Sequence, residues 1–345
     1  MEPRIFPVYA PAMRPKFHPS LVNDRFGDPA LFIDFLQERR AILFDLGDIH
    51  TLSPRQILRL SDVFVSHTHI DHFIGFDRLL RVLVGRDREV RLYGPTGFID
   101  RVEAKLAAYT WDLVERFKTE LVFTVTEACA GPETRMAQFR FSRRFAREDL
   151  AVGRVENGVL LAEPALTVTY AELEHHSTCL GFALQESTHV NVWKNRIQEQ
   201  GLTTGPWLAT LKTAIHEGRP DDTPITVERD EGAPDDLPLG FLREEIVSIE
   251  PGQKVAYVTD AVFTPANETA IVALARDADI LFIDAAFAKE DVELAAHHGH
   301  LTTAQAGTLA RRAGAARVEP FHFSPRYEEC EARMIDEVDE AFGGD

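Results

Sequence analysis

A layered α/β fold is what the sequence predicts, on three observations. Short β-rich apolar runs recur along the chain, segments with helical spacing lie between them, and 345 residues at 45% hydrophobic and 27% charged suffice to bury a sizeable core. The runs AILFD (Ala41 to Asp45), DVFV (Asp62 to Val65), VRLYG (Val90 to Gly94), LTVTYAELE (Leu166 to Glu174), KVAYVTD (Lys254 to Asp260) and DILFID (Asp279 to Asp284) read as strands. Apolar residues at helical spacing predict a helix over Phe73 to Val84 and another over Thr303 to Ala313, whose start Thr302 or Thr303 can cap. From 191 to 245 the composition changes: GLTTGPW, GRPDDTP and DEGAPDDLP interrupt the apolar pattern with Gly and Pro. That predicts an arm inserted into a single domain spanning 1–345. No internal repeat at a fixed period is visible.

Lys and Arg number 37 against 55 Asp and Glu, a net charge of −18, which works against indiscriminate binding to phosphate backbones. Any nucleic-acid partner must be held locally. Cys129, Cys179 and Cys330 form no C-x-x-C pair, so neither a disulfide framework nor a thiolate zinc site is indicated, and a reducing cytoplasm fits. The N-terminal MEPRIFPVYAPAMRPKF is broken by four prolines, and no stretch approaches the ~18 apolar residues of a membrane span. The reading is a cytoplasmic protein without a membrane partner.

The stretch FVSHTHIDHF (Phe64 to Phe73) packs His67, His69, Asp71 and His72 into six residues directly after an apolar strand. His67 and His69 alternate, so in extended backbone their imidazoles point the same way and reach one ion; Asp71 and His72, at the start of the helix, serve a second. The plainer reading is a polar loop with unrelated histidines, and four ligand-type residues in six positions weigh against it. A dinuclear site needs further ligands from other strand ends. Candidates stand there: His175 and His176 after LTVTYAELE, Asp260 closing KVAYVTD, and His322 after ARVEPF. His189 and His216 read as solvated.

These residues resemble the metallo-β-lactamase fold, a four-layer αββα sandwich, whose HxHxDH signature stands here as His67-Thr68-His69-Ile70-Asp71-His72. Within that fold the chain is similar to ribonuclease Z, the endonuclease that trims the 3′ end of precursor tRNA. The resemblance runs from about Ala41 to Tyr327 and rests on LEHHSTCLGF (Leu173 to Phe182), VAYVTDA (Val255 to Ala261), GHLTTAQAG (Gly299 to Gly307) and HFSPRY (His322 to Tyr327). The family's ligand histidine lies six residues before a glycine–aromatic pair, which selects His175 over His176 because Gly181-Phe182 follows. The resemblance implies two metal ions, zinc preferred with manganese or iron as alternatives. His67, His69 and His175 would hold one, Asp71, His72 and His322 the other, and Asp260 would bridge them. It further implies in-line hydrolysis of a phosphodiester by a hydroxide made available by both ions and oriented by Asp71. His300, matching the family's HST histidine, would protonate the leaving ribose oxygen. Its plainer reading is a helix-start histidine. Asp284 falls where the family has the Glu of HEAT and would tune His300. Ser324 and Arg326 would contact a substrate phosphate, with a structural salt bridge as the alternative for Arg326. Family members are commonly dimers, which implies a homodimer.

The chain departs from that pattern in two places. Where the family has a strand and a GTGS-type loop, this N-terminus reads RIFPVYAPAMRPKFHPS. The family's arm, which clamps the tRNA elbow, resembles VNVWKNRIQEQGLTTGPWLATLK (Val190 to Lys212), with Gly205-Pro206 able to present backbone amides to substrate. Yet residues 191–245 carry six Lys and Arg against eleven Asp and Glu, a balance of −5 where a phosphate clamp should be basic. Basic residues gather instead in RMAQFRFSRRFARED, where Arg135, Arg140, Arg143, Arg144 and Arg147 interleave with Phe139, Phe141 and Phe145. That run is either an RNA-facing strand or a solvated face over an apolar one. Three functions stand open at this level: a zinc phosphodiesterase acting on precursor tRNA, a metallo-hydrolase of a small ester (a cyclic nucleotide, or an aryl phosphate or sulfate), and a metal-bearing interaction module without catalysis. Intact ligand positions and His300 disfavour the third.

Overall fold

The computed structural model describes residues 17–344 except 37, 129, 130, 132, 188 and 251. The N-terminal reading up to Lys16 and Cys129 lie outside them. The first sheet contains β1 (Phe17–Leu21), β2 (Leu31–Phe35), β3 (Ala41–Phe44), β4 (Leu60–Phe64), β5 (Arg88–Pro95), β6 (Leu121–Ala128), β7 (Glu133–Arg140) and β8 (Arg147–Asp149) in that spatial order, with β9 (Gly153–Arg154) beside β7. Strands β3 to β6 pair in parallel, and the connections between them carry α1 (Pro54–Ile57), α2 (Ile70–Phe73), α3 (Phe76–Leu83) and α4 (Phe98–Ala107).

The second sheet begins with β10 (Val159–Glu163), β11 (Leu166–Glu174) and β12 (Thr178–Glu186). The chain then makes a side structure before returning. In it β13 (His189–Val192) pairs with β16 (Val247–Glu250), enclosing α5 (Lys194–Glu199), α6 (Trp207–His216), the hairpin β14 (Pro224–Val227) and β15 (Asp235–Pro238), and α7 (Leu239–Ile246). These elements bury a cluster of their own that includes Val190, Ile197, Trp207, Leu211, Leu242 and Ile246. The second sheet resumes with β17 (Lys254–Val258), α8 (Pro265–Leu274), β18 (Ile280–Asp284), α9 (Val292–His298), α10 (Thr303–Ala313), β19 (Val318–Phe321) and α11 (Glu331–Gly343). Its spatial order is β10-β11-β12-β17-β18-β19.

Three apolar clusters stack these elements into helix, sheet, sheet and helix layers. In β3, Ala41 and Leu43 point into the cluster shared with α3 and α4, while Ile42 and Phe44 point into the cluster between the sheets. In β18, Leu281 and Ile283 face α8 and α10, while Phe282 faces the other sheet. A strand covered on both faces must be apolar at every position, which is why these runs read as continuous apolar stretches. Phe44 and Phe182 stack between the sheets at 5.5 Å, and burying each such ring contributes roughly 1.5–3 kcal/mol. A charged cluster also ties the sheets together. Arg40 binds both the buried Asp62 (2.8 Å) and Glu163 of β10 (2.5 Å), and Arg91 reaches the same two carboxylates at 2.6 and 3.0 Å.

Helix α10 occupies the range its spacing predicts. Thr302 accepts from the Gln305 amide (3.3 Å), the Gln305 side chain returns a bond to the Thr302 amide (2.9 Å), and Gly314 closes the helix at φ 69°. The expected continuous helix from Phe73 to Val84 is instead two, α2 and α3, separated at Gly75. The Gly75 amide donates to the Leu46 carbonyl at 2.9 Å instead of to the preceding helical turn, and a Cβ there would lie 2.1 Å from the Gly47 carbonyl oxygen, so a neighbouring backbone segment interrupts the ladder and requires glycine at the break. The basic run resolves as a solvated face over an apolar one: Phe139, Phe141 and Phe145 are buried, while Arg135, Arg143 and Arg147 pair with Glu127, Glu148 and Asp100.

Candidate active site at the strand ends

The C-terminal ends of β3, β4, β11, β17, β18 and β19 open on one edge of the two sheets, and the residues that follow them converge there. One group consists of His67, His69, His175 and Asp260; a second consists of Asp71, His72 and His322. Within each group one donor atom per residue lies within 4.8 Å of all the others. Asp260 serves both. Its Oδ2 is 3.5 Å from Nε2 of His67 and of His175, while its Oδ1 is 3.4 Å from His72 Nε2 and 3.1 Å from His322 Nδ1.

The surrounding chain fixes which nitrogen faces inward. His175 Nδ1 donates to the Gly299 carbonyl at 2.9 Å; a carbonyl only accepts, so Nδ1 carries the hydrogen and Nε2 keeps its lone pair for the centre. Gly299 sits at φ 77°, and a Cβ there would come 2.5 Å from His175 Nδ1, so this carbonyl can approach only from a glycine. His72 Nδ1 donates to Asp45 Oδ2 at 2.9 Å, which again leaves Nε2 facing inward. That Nε2 is buried and makes no hydrogen bond among the described residues, although oxygens of Asp71 and Asp260 each stand 3.4 Å away. A buried lone pair beside two carboxylates and four further imidazoles is a donor set that suits a divalent cation.

Charge agrees with that composition. Burial pushes the His67 imidazole down to about 2, so it is neutral and free to donate a lone pair. Burial likewise lowers His175. For Asp71 burial acts upward, but the hydrogen bond from His322 Nε2 at 3.4 Å leads the opposing causes, and the carboxyl is held below its usual range. His300 stands just outside the two groups, its Nδ1 3.1 Å from Asp284 Oδ2. Burial lowers its pKa, and the Asp284 carboxylate beside it more than compensates, so it sits above the ordinary value. Asp284 also accepts from the Leu301 amide at 3.1 Å, which fixes its orientation.

Ser324 lines the cleft beside the cluster, together with His300, His322 and Asp71. Arg326 does not. It is exposed, and its guanidinium lies over the Tyr327 ring at 5.8 Å because the 3-10 turn at Pro325–Cys330 carries it away from the cleft lining. Gly205 and Pro206 lie at the start of α6 in the side structure, where Glu228 crowds Gly205 so closely that a Cβ would meet its Oε2 at 2.3 Å. A carboxylate beside these amides opposes phosphate.

Asp45 escapes the sequence reading. It follows β3 at φ 57°, fully buried, and accepts from the Ser66 amide (2.6 Å), the Ser66 hydroxyl (2.8 Å), His72 Nδ1 (2.9 Å) and the Tyr257 hydroxyl (2.8 Å). The only sequence signal for it is an aspartate closing an apolar strand, the same signal that marks Asp260.

Comparison with known proteins agrees with fold and site. Residues 211–323 match the beta-lactamase superfamily domain. Among solved structures, the metallo-beta-lactamase fold protein YhfI from Bacillus subtilis aligns over 95% of both chains with a TM-score of 0.52 at 16% identity. The short form of human tRNase Z aligns over 91% of this chain and 92% of its own with a TM-score of 0.50 at 17% identity. The fold is therefore the metallo-β-lactamase fold, carrying the histidine and aspartate cluster of a metal-dependent hydrolase. In sequence, ribonuclease Z from Deinococcus radiodurans is 32% identical over 314 residues, covering 89% of this chain and 90% of that protein. Ribonuclease Z from Limosilactobacillus fermentum is 28% identical over 309 residues, covering 86% and 82%. The chain belongs to the ribonuclease Z family, and is a phosphodiesterase of the endoribonuclease class.

Proposed function

We propose that the chain holds two zinc ions and cleaves precursor tRNA at its 3′ end. His67, His69 and His175 would hold one ion, Asp71, His72 and His322 the other, and Asp260 would bridge them; manganese or iron would suit the same donors. The observation that carries this reading is Asp260, whose two oxygens face two separate histidine groups. When bound, such ions neutralise charge on the phosphoryl oxygens and acidify water. The chain's own residues do the rest. Asp71, kept ionised by His322, accepts a hydrogen bond from the attacking water and holds it in line. His300 donates Nδ1–H to Asp284, which leaves Nε2 to deliver a proton to the departing ribose oxygen. Ser324 offers a hydroxyl to the phosphate from the cleft wall.

A second reading, hydrolysis of a small ester such as a cyclic nucleotide or an aryl phosphate or sulfate, draws on Glu228 against Gly205 and on the −5 balance of residues 191–245. One assay separates the two: cleavage of precursor tRNA compared with bis(p-nitrophenyl) phosphate, alongside elemental analysis. The proposal expects efficient cut of the RNA and close to two ions per chain; hydrolysis of the aryl ester without RNA cleavage would favour the second reading, and one ion or none would defeat the dinuclear site. A cytoplasmic homodimer belongs to the same proposal. It is supported by the exposed Ile70 (75%), Ile74 (40%) and Tyr109 (45%), and among the described residues no helix is long and apolar enough to cross a membrane. Light scattering in solution tests the dimer.

A further inference from the structure

The cleft beside the metal-ligand cluster encloses about 310 Å³ and is lined by Phe26, Asp71, Phe287, His298, His300 and His322 among others. That volume is at the low end for a small-ligand site and suits one nucleotide unit rather than a duplex. Asp71, His300, His322 and Ser324 in this wall serve the chemistry above. Phe287 and His298 do not. Their rings stack almost parallel, 5.7 Å apart at 19°, with Phe287 buried beneath and the imidazole exposed. His297 lies edge-on to the imidazole at 5.0 Å and 75°.

The backbone that carries both rings is tied down before any ligand arrives. The Phe287 carbonyl accepts from the Thr303 amide at 2.8 Å, anchoring it to the start of α10. His298 ends α9, its carbonyl accepts from His176 Nε2 at 3.1 Å, and Gly299 turns the chain behind it. A flat aromatic surface with one exposed ring, in a cleft that also holds Phe26 and Phe323, is what a nucleobase recognises, since every base has a π-face and stacking needs no particular hydrogen-bond pattern. Position selects which base. His300, which delivers the proton to the departing ribose oxygen, is two residues from His298, and its ring lies 6.1 Å from that of Phe287.

We infer that Phe287 and His298 form a stacking shelf for the nucleobase of the leaving nucleoside, the one whose ribose oxygen departs. The inference rests on the RNA-cleaving reading above. It makes His298 a substrate-positioning residue with no part in proton transfer. The competing account is a histidine that merely complements the carbonyl end of α9, a role that needs positive charge and no flat ring.

The test is a cycle on a precursor RNA that the wild-type protein cuts, with or without an abasic ribose at the nucleotide 5′ of the scissile bond. His298→Ala is expected to lower kcat/KM about tenfold, the scale of one base–aromatic contact. Removing the base is expected to cost the wild type a similar factor, and the two changes together no more than either alone. An abasic site 3′ of the scissile bond should show no such coupling to position 298. His298→Phe, which keeps the plane and loses the charge, should restore cleavage to within about threefold, whereas His298→Lys, which keeps the charge and loses the plane, should not. Multiplicative losses, rescue by lysine, or coupling only to the 3′ nucleotide would each overturn the shelf while leaving RNA cleavage intact. Wild-type protein that hydrolyses bis(p-nitrophenyl) phosphate but leaves the unmodified RNA uncut would overturn the RNA reading, and the shelf with it.

Discussion

Asp45→Asn changes one atom type at a fully buried position and should empty half of the metal site. In the native chain both Asp45 oxygens accept: Oδ1 from the Ser66 amide, and Oδ2 from the Ser66 hydroxyl, His72 Nδ1 and the Tyr257 hydroxyl. Asparagine has one oxygen and one NH2. If the oxygen keeps the Ser66 amide, the NH2 can donate to the Ser66 and Tyr257 hydroxyls but also meets the His72 Nδ1–H, donor against donor, a contact relieved when that nitrogen gives up its hydrogen. The hydrogen then moves to Nε2, and a protonated Nε2 has no lone pair for an ion. If the amide flips, two donors face each other at the buried Ser66 amide, a conflict of roughly 1–3 kcal/mol. Either way the second ion, held by Asp71, His72 and His322, should bind about 10- to 100-fold more weakly, the usual penalty for losing the partner that orients a ligand histidine. Under the proposal the first ion should be retained, since Asp45 reaches its ligands only through the Ser66 hydroxyl, 3.1 Å from His67 Nδ1. Zinc titration against a competing chromophoric chelator reads both affinities, and a thermal melt of the metal-free protein reports how much of the effect is folding. Two sites with wild-type affinity in a folded Asp45→Asn protein would refute the tautomer reasoning.

Other residues give distinct signatures. Asp260→Ala removes the carboxylate that faces both histidine groups, so metal content and hydrolysis should fall together; full activity would show the site to be elsewhere. His300→Ala should keep both ions, slow cleavage of RNA a hundredfold or more on the scale of general-acid catalysis, and slow bis(p-nitrophenyl) phosphate much less, because p-nitrophenolate departs without a proton. Equal losses on the two substrates would remove the acid role. Gly299→Ala, at φ 77° with its new Cβ 2.5 Å from His175 Nδ1, should weaken the first ion and lower the melting temperature together, as measured by metal titration and calorimetry. Glu163→Gln probes the charged cluster between the sheets. Burial raises the Glu163 pKa, but the Arg40 and Arg91 hydrogen bonds outweigh it, so the folded value is depressed. Its stabilisation is therefore present above the unfolded value of about 4.3 and lost as pH falls through the lower folded value. A melting-temperature gap between wild type and variant, worth on the order of 1 kcal/mol at neutral pH, should close on acidification below that point; a gap independent of pH would contradict it.

How far the sequence could be read depended on whether a feature was set by neighbours in the chain or by neighbours in space. The strands and α10 were legible because alternation, apolar runs and the Thr302–Gln305 box are local, and the HxHxDH spacing carried His67, His69, Asp71 and His72 for the same reason. The break at Gly75 was hidden, since Phe73, Phe76, Leu79 and Leu83 keep helical spacing across it and the Leu46 carbonyl that takes the Gly75 amide comes from another loop. Asp45 was hidden more deeply: its meaning comes from Tyr257, 212 residues away on the other sheet. The direction of Arg326 was not legible either, because the 3-10 turn after His322 sets it and carries the guanidinium over the Tyr327 ring.

The division of the ligands between the sheets has a consequence during synthesis. His67, His69, Asp71 and His72 belong to the first sheet, which can complete its ladder as soon as the residues up to Arg154 have left the ribosome. His175, Asp260 and His322 come later and in that order, the last from the final strand of the second sheet. A nascent chain thus exposes the metal-hungry HxHxDH stretch long before it owns the bridging carboxylate. Under our proposal it cannot cut the RNA-rich machinery that is making it. Competence arrives only at the end, when β19 closes against β18 and His322 swings over the cluster.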